Sequence, residues 1–519
     1  MFNKFEFERS NLPKYVFIAI LIIAIVALNI YFVKTYISSN NETITNYTLR
    51  DEDMNPIREA AVAGLFYPAD VYQLQKDIDN YLAMVPPSLN KRPHILIVPH
   101  AGYLYSAQVA AHAYQKILPF KKQIKKVLLL GPSHRVLVNG VALSSAKNFK
   151  TPLGNIPVNQ NINKELISHA SFTYNDKAHH DEHALEVQLP FLQKTLSKFS
   201  IVPMVYGHAE PQKIADILAP YISQNDTLLI ISADLSHYLD YDTATKVDTQ
   251  TASMVAQNQP LEEHRSCGAT GINTAMLLAR KFGFKPQLLD ITNSGNVTGD
   301  MNSVVGYAAW MFSQQPAEEK NLPILEQEVE NLTFFAKHNK ADLLKIVTQS
   351  LERAVIGKNF TPERKDYPDV IFNKGASFVT LTQNGNLRGC IGSLLPNRAI
   401  ALDIADNARQ AALADSRFQP LTPNELKNIN FTISLLTGYE RIYYTDEDNL
   451  LSQINPNIDG LVIRDGNRQG LFLPSVWKQV PDKKEFISSL KIKAGLSPSY
   501  WSKDMKIYRF RTVEIKNAN

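Results

Sequence analysis

The sequence predicts two folded domains of different class, an α/β domain followed by a smaller α+β domain, behind one N-terminal membrane helix. Three patterns carry that expectation. Strand-like and helical runs alternate over residues 57–312, hairpins are interleaved with helices over residues 340–511, and residues 15–33 form an unbroken apolar run. At 519 residues the chain is too long for one ordinary core. Charged residues at 20% and hydrophobic ones at 45% are ordinary for globular protein. A net charge of +4 is small for this length, which argues against nucleic acid held by a broad basic surface. The two cysteines, Cys267 and Cys390, fall in different predicted domains, so a disulfide framework is excluded.

The apolar run, YVFIAILIIAIVALNIYFV, has no ionisable side chain apart from tyrosines near its ends and lies between Lys14 and Lys34. A helix of ~20 residues crosses a bilayer core of ~30 Å, and tyrosine suits the interface. A cleaved signal peptide fits less well because no A-x-A-like site follows. A buried core helix fits less well because the run is apolar on every face. The expectation is a single-pass membrane protein with an N-terminal flank at residues 1–14 and a transmembrane helix at residues 15–34. Lys4, Arg9 and Lys14 precede the span and only Lys34 closely follows it, which predicts a cytoplasmic N-terminus with the domains outside. Residues 35–56, polar and rich in Asn, Thr and Asp, read as a tether.

Folded sequence starts near Ile57. The stretch ILIVPHAGYLY at residues 95–105 sets the pattern of the first domain, residues 57–315: an apolar strand stops at Pro99 and delivers His100 to its C-terminal edge. In open α/β sheets that edge is where ligands and catalytic groups collect. VLLLGPSH at 127–134 and LLIISADLSH at 228–237 repeat the arrangement and end at His134 and His237. Helical periodicity is read at 107–117, 186–196, 213–222 and 273–282, with further strands at 201–205, 287–291 and 304–311. The polar, proline-bounded stretch 313–323 marks a linker, set at residues 316–336. The second domain, residues 337–515, reads as a helix at 340–355, a hairpin at 377–381 and 387–391 turned by Asn384-Gly385-Asn386, and a helix at 398–414. A strand at 431–435, a hairpin at 460–463 and 470–473 around Asp465-Gly466-Asn467, a helix at 483–494 and a strand at 506–511 complete it. No internal repeat or low-complexity tract interrupts the chain.

Of the 12 histidines, all but His338 lie between His94 and His264, so imidazole chemistry belongs to the first domain. His94, His112, His169, His179 and His208 fall where surface or core duty explains them. His100, Asp234, His237 and Cys267 form the candidate catalytic or metal-bearing set. Asp234 stands three residues before His237, close enough to orient the ring or accept its proton. Cys267 lies in a polar loop ahead of a helix whose N-terminus would favour a thiolate. His183 shares a helix face with Glu186. Taken singly, each is explained as well by a satisfied buried polar residue; as a convergent set they are not.

Several of these motifs together resemble the Memo family: REAAVAGLFYP at 58–68, PHAGY at 99–103, GPSH at 131–134 and EHALEVQLPFLQ at 182–193. SADLSHY at 232–238, the Cys267-Gly268 pair and NSGNVTGD at 293–300 continue the likeness in family order. The resemblance implies a fold like that of the class III non-haem iron extradiol dioxygenases and a site able to bind iron or copper through two histidines and a cysteine. By motif position His100 and Cys267 would be two of those ligands, and His237 would take the place of the dioxygenases' acid-base histidine. The family's other histidine ligand falls in the first motif, where this chain has Val62. A metal would then need another donor, with His134, His183 and His237 as the candidates.

The second domain resembles the AMMECR-type domain through NLRGCIGSL at 386–394, DSRF at 415–418 and GLVIRDGNRQGLFLP at 460–474. Arg388 and Cys390 in its hallmark run suggest a nucleophile or an anion-binding point, although no histidine is near to act as base. Alternatively Gly389 and Gly392 simply permit close backbone packing. The two families occur together with a radical-SAM protein in the AmmeMemoRadiSam system, which implies a radical-SAM partner. Three functions are then open: a metal-dependent oxidoreductase of dioxygenase type, a non-catalytic ligand- or protein-binding module, and thiol chemistry at Cys267 or Cys390.

Overall fold

Ile95, Leu96, Ile97 and Val98 form a strand in which every side chain is buried. Leu96 and Val98 join the core on one face of the sheet, Ile95 and Ile97 the core on the other. Double burial is what a parallel strand covered by helices on both faces requires. The computed structural model, which describes residues 57–86, 91–314, 324–502 and 504–517, places four such strands side by side. Ile95–Val98, Thr227–Ser232, Lys126–Pro132 and Ser200–Tyr206 pair in parallel in that spatial order. Val304–Ser313 runs antiparallel beside Ile95–Val98, and Val141–Leu143 antiparallel beside Ser200–Tyr206. His237–Leu239, Phe172–Tyr174 and Lys285–Asn293 complete the nine-stranded sheet. The helix Tyr103–Ile117 covers one face, and Pro211–Ile222 with Ala269–Phe282 the other. Because the central strands are parallel, the residues that follow Val98, Pro132 and Ser232 emerge at the same sheet edge.

The second domain has two four-stranded antiparallel sheets. One orders Asn386–Gly392, Ser377–Gln383, Ile429–Leu436 and Thr512–Lys516; the other orders Glu440–Ile442, Lys506–Phe510, Gly460–Asp465 and Arg468–Phe472. In the first hairpin the two-residue turn Asn384-Gly385 has φ of 53° and 80°, the positive values that match the twist of the flanking strands. The strand read at 506–511 is Lys506–Phe510 in one sheet, and a further strand outside that reading, Thr512–Lys516, belongs to the other. The helix read from Lys340 already begins at Ile324 and runs to Ala354, burying Leu325, Phe335 and Ala336, so most of the stretch read as linker is helical.

One part of the predicted fold class and the predicted localisation need correction. The membrane span read at residues 15–34 lies outside the described residues, and no helix among the described residues is long and apolar enough to cross a membrane. The longest, Ile324–Ala354, carries Glu326, Glu328, Glu330, Lys337 and Lys340 along its length, and a charge in a bilayer core is costly. The fold class is therefore mixed α/β with two domains and no transmembrane helix among the described residues. The single-pass membrane placement, cytoplasmic N-terminus with external domains, is corrected with it.

The two domains meet at the start of the helix Tyr241–Ala256. Buried Asp242 accepts hydrogen bonds from Arg441 Nη1 at 2.8 Å and from the Tyr508 hydroxyl at 2.8 Å, and Lys506 Nζ closes on the same carboxylate. Tyr241 packs in one apolar cluster with Leu436, Tyr439, Val462 and Phe510. The helix that the second domain grips thus follows directly on the segment carrying Asp234 and His237.

Candidate metal centre

His100, two residues beyond its strand, is buried and held by three contacts. Its backbone N–H donates to Asp234 Oδ1 at 2.7 Å, its Nδ1 lies 3.1 Å from Ser232 Oγ, and its Nε2 lies 3.3 Å from Cys267 Sγ. Ser232 fixes the tautomer. Its hydroxyl donates to Ala184 O at 2.6 Å and accepts from Gln188 Nε2 at 3.0 Å, so toward His100 it can only accept. Nδ1 therefore carries the proton and Nε2 offers a lone pair to the pocket. Burial, reinforced by repulsion from His134, pushes the His100 pKa down to about 3 and keeps the ring neutral.

His134, two residues beyond the strand Lys126–Pro132, leans on Glu182, whose Oε1 lies 2.9 Å from His134 Nδ1 and whose Oε2 accepts the His134 N–H at 2.6 Å. Burial opposes ionisation of Glu182, but the hydrogen bonds from His134 and the Ala184 N–H outweigh it and hold the carboxyl at about 2. A carboxylate behind an imidazole in this way leaves the other ring nitrogen free and raises its basicity. His183 stacks on His134 with ring centroids 4.6 Å apart, and burial lowers its pKa to about 4. Its Nδ1 is 3.3 Å from Glu182 Oε1, yet is buried without a well-formed hydrogen bond.

Cys267 reaches the same point from the loop ahead of the helix Ala269–Phe282. Gly268 allows that approach, since a Cβ there would stand 2.1 Å from Ala233 Cβ. Burial, then the charge of Asp234, raises the Cys267 thiol well above its ordinary range. The helix N-terminus alone does not make a thiolate here; a bound cation would reverse that balance. The donor atoms of His100, His134 and Cys267 all lie within 4.8 Å of one another, and those of His134, Glu182 and His183 form a second such group. Two imidazoles and a sulfur are the donors that a first-row transition ion selects, and the set fits one.

The remaining predicted residues fall around this cluster. Asp234, its carboxyl raised by burial, caps the His100 backbone and makes no hydrogen bond to His237 among the described residues. His237 stands on the rim strand, half-buried, its ring 5.8 Å from that of Tyr238 and outside both donor groups. Tyr238 takes φ of 58° and is largely exposed. Val62 is buried in the apolar core and supplies no donor. Its motif is clamped by Glu186, which accepts the Ala61 N–H at 2.8 Å, the Val62 N–H at 3.0 Å and the Tyr67 hydroxyl at 2.6 Å and pairs with Arg58. Sequence reasoning gave Glu182 no role. Its position beside His183 was the available signal, but its pairing with His134 exists only in the fold.

In the second domain Arg388 is paired with Glu425, at 3.0 and 3.3 Å, and makes no hydrogen bond to Cys390 among the described residues. Cys390 faces Thr380 Oγ1 at 3.3 Å across the strand pair, and its N–H donates to Asp415 at 2.8 Å. Asp415, held at about 2 chiefly by Arg417, ties the DSRF motif to the hallmark strand. Gly389 and Gly392 are packing positions: a Cβ would lie 2.1 Å from Ala411 O and 2.2 Å from Phe378 Cγ respectively.

Comparison with known proteins agrees with this division. The Memo-like protein family matches residues 58–311, and the AMMECR1 family matches residues 344–515. A MEMO1 family protein of Sulfurisphaera tokodaii is 36% identical over 283 residues, covering 49% of this chain and 99% of that protein. Family proteins of Aquifex aeolicus and Methanobrevibacter smithii are 33% identical over 273 residues and 35% over 282, each covering 49% of this chain and 99% of the relative. The crystal structure of an uncharacterized protein from Pyrococcus horikoshii is similar at 32% identity, covering 33% of this chain and 88% of that one, with a TM-score of 0.32.

Proposed function

The chain belongs to the MEMO1 family, and on that premise we propose that its first domain is a metal-dependent oxidoreductase of dioxygenase type, holding iron or copper on His100, His134 and Cys267. The observation that carries the reading is the mutual approach of those three donors, within 4.8 Å, around a His100 whose bare nitrogen is directed at the sulfur. Bound there, either ion would supply Lewis acidity and one-electron chemistry. The protein's own part is orientation and proton control. Ser232 sets the His100 tautomer, Glu182 holds His134, and buried Asp234 keeps the His100 backbone in register. His237, on the rim and outside the donor groups, is the histidine available to exchange a proton with a substrate. The Memo-like and AMMECR1 domains fit an AmmeMemoRadiSam-type protein. A radical-SAM protein is the expected partner, and co-elution of the two as a stoichiometric complex tests that expectation.

Elemental analysis of the anaerobically purified full chain tests the metal. Iron or copper near one equivalent, lost in His100→Ala and Cys267→Ser and retained in His237→Ala, is the expected result. Background metal in the unaltered protein, unchanged in His100→Ala, counts against it. The buried Val62 favours a second reading, a pocket that binds a ligand or peptide without catalysis, because no imidazole stands where the family places one. That reading predicts the background result.

A further inference from the structure

Arg464 is half-buried in the second domain and makes neither a hydrogen bond nor an ion pair among the described residues; its Nε is shielded from solvent without a partner. Its neighbours are the faces of Tyr439 and Tyr508, with ring centroids 5.7 and 5.2 Å from the guanidinium carbon. Arginine cannot shed its proton in a protein, so burial cannot neutralise it. A shielded Nε–H without an acceptor is costly, and the guanidinium's other donors have no protein acceptor among the described residues.

The guanidinium opens on a cleft of about 490 Å³ bordered by Leu394, Leu395, Asn397, Arg398, Asp403 and Gln469. The other charges in that wall cancel. Arg398 Nε donates to Asp403 at 2.9 Å and its Nη1 to Asp406 at 2.8 Å. Both Asp403 oxygens are occupied as well, by Ser393 and Arg398 on one side and by Ser377 and Asn407 on the other. What remains is the charge of Arg464. Tyrosine faces hold its planar fork, the geometry that carboxylate and phosphate groups match with two parallel hydrogen bonds. Leu394 and Leu395 offer apolar surface to the body of a ligand. We propose that this cleft is an anion site that takes a small organic molecule through a carboxylate or phosphate group seated on Arg464. It lies in the other domain from the metal centre and stands independently of the function proposed there.

Calorimetric titration of the full chain with inorganic phosphate and, separately, with benzoate tests the site, each against chloride at matched ionic strength. Saturable binding of phosphate assigns a phosphorylated ligand, and preferential binding of benzoate a carboxylate. Arg464→Gln is expected to weaken binding by at least about tenfold, and Arg464→Lys, which keeps the charge and loses the fork, by less. Gln469 is exposed and directly paired with Arg464 across the hairpin, so Gln469→Glu supplies an internal carboxylate and should abolish binding even if Arg464→Gln does not fold. Absence of binding by both anions above the chloride control overturns the proposal, as does unaltered binding in Arg464→Gln or Gln469→Glu.

Discussion

The Memo-like domain brings His100, His134, Asp234 and Cys267 together from segments separated by up to 167 positions, whereas the AMMECR1 domain leaves Arg388, Cys390 and Arg417 tied to nearby carboxylates and hydroxyls. The difference follows from sheet type. Parallel strands all finish at one edge, so each strand-to-helix turn adds a side chain to the same small volume. Antiparallel hairpins return the chain to alternate edges, and a reactive residue there meets chiefly its cross-strand partner, as Cys390 meets Thr380. One architecture gathers donors; the other exposes an isolated guanidinium, Arg464, in a cleft between loop and sheet.

The contrast between the two domains is tested most strongly at the candidate metal centre. Cys267→Ser is expected to lower metal affinity by more than about 100-fold, and Glu182→Gln by roughly 10- to 100-fold through loss of support for His134. Cys390→Ser should leave bound metal unchanged; equal loss in both cysteine variants, read by elemental analysis, would erase the distinction between the domains. Next in size is the junction. Asp242→Ala removes the carboxylate that Arg441, Lys506 and Tyr508 share, and because both cations keep contact with solvent it is expected to cost about 1–3 kcal/mol in urea denaturation. If the domains were energetically separate, the first domain's transition would not move. Within the second domain, Gly389→Ala drives a Cβ toward a backbone oxygen and is expected to cost about 1–3 kcal/mol, confirming a packing role for the hallmark glycines. Retained stability in that variant would return the hallmark run to a chemical role.

The smallest effect lies at Glu328, beneath the junction. Burial, and then repulsion from Asp290, raise its pKa from 4.5 to about 8. The unfolded chain releases this proton first, so the folded state binds more protons between those limits and stability falls as pH rises from about 4.5 to 8. Glu328→Gln removes the titration, so the stability of that variant is expected not to fall between about pH 4.5 and 8, read from thermal melts. An unchanged pH profile would mean that this carboxyl ionises as readily folded as unfolded.

Much of the first domain was legible because its signals are local. An apolar run that halts before a histidine specifies both the strand and the edge at which the histidine emerges, and this applied to His100 and His134. It misled at His237, where Asp234 at close sequence spacing suggested a pair. In the fold Asp234 turns to the His100 N–H, because the parallel neighbour of its strand, Ile95–Val98, ends alongside. The start of the long helix at Ile324 was hidden by the charged residues that suggested a linker, although Leu325, Phe335 and Ala336 are buried against the domains.

Two domain types, the strand-end positions of His100 and His134, the hairpin turn at Asn384-Gly385 and the family likeness were all set by periodicity or by motifs of adjacent residues. Tertiary structure alone decided which donors meet. It placed Glu182 behind His134, Ser232 beneath His100, Asp242 under Arg441 and Tyr508, and Arg464 without a carboxylate partner among the described residues. Each of those relations joins residues far apart in the chain. Their distance depends on which strands and helices pack together, and no local pattern of side chains encodes that.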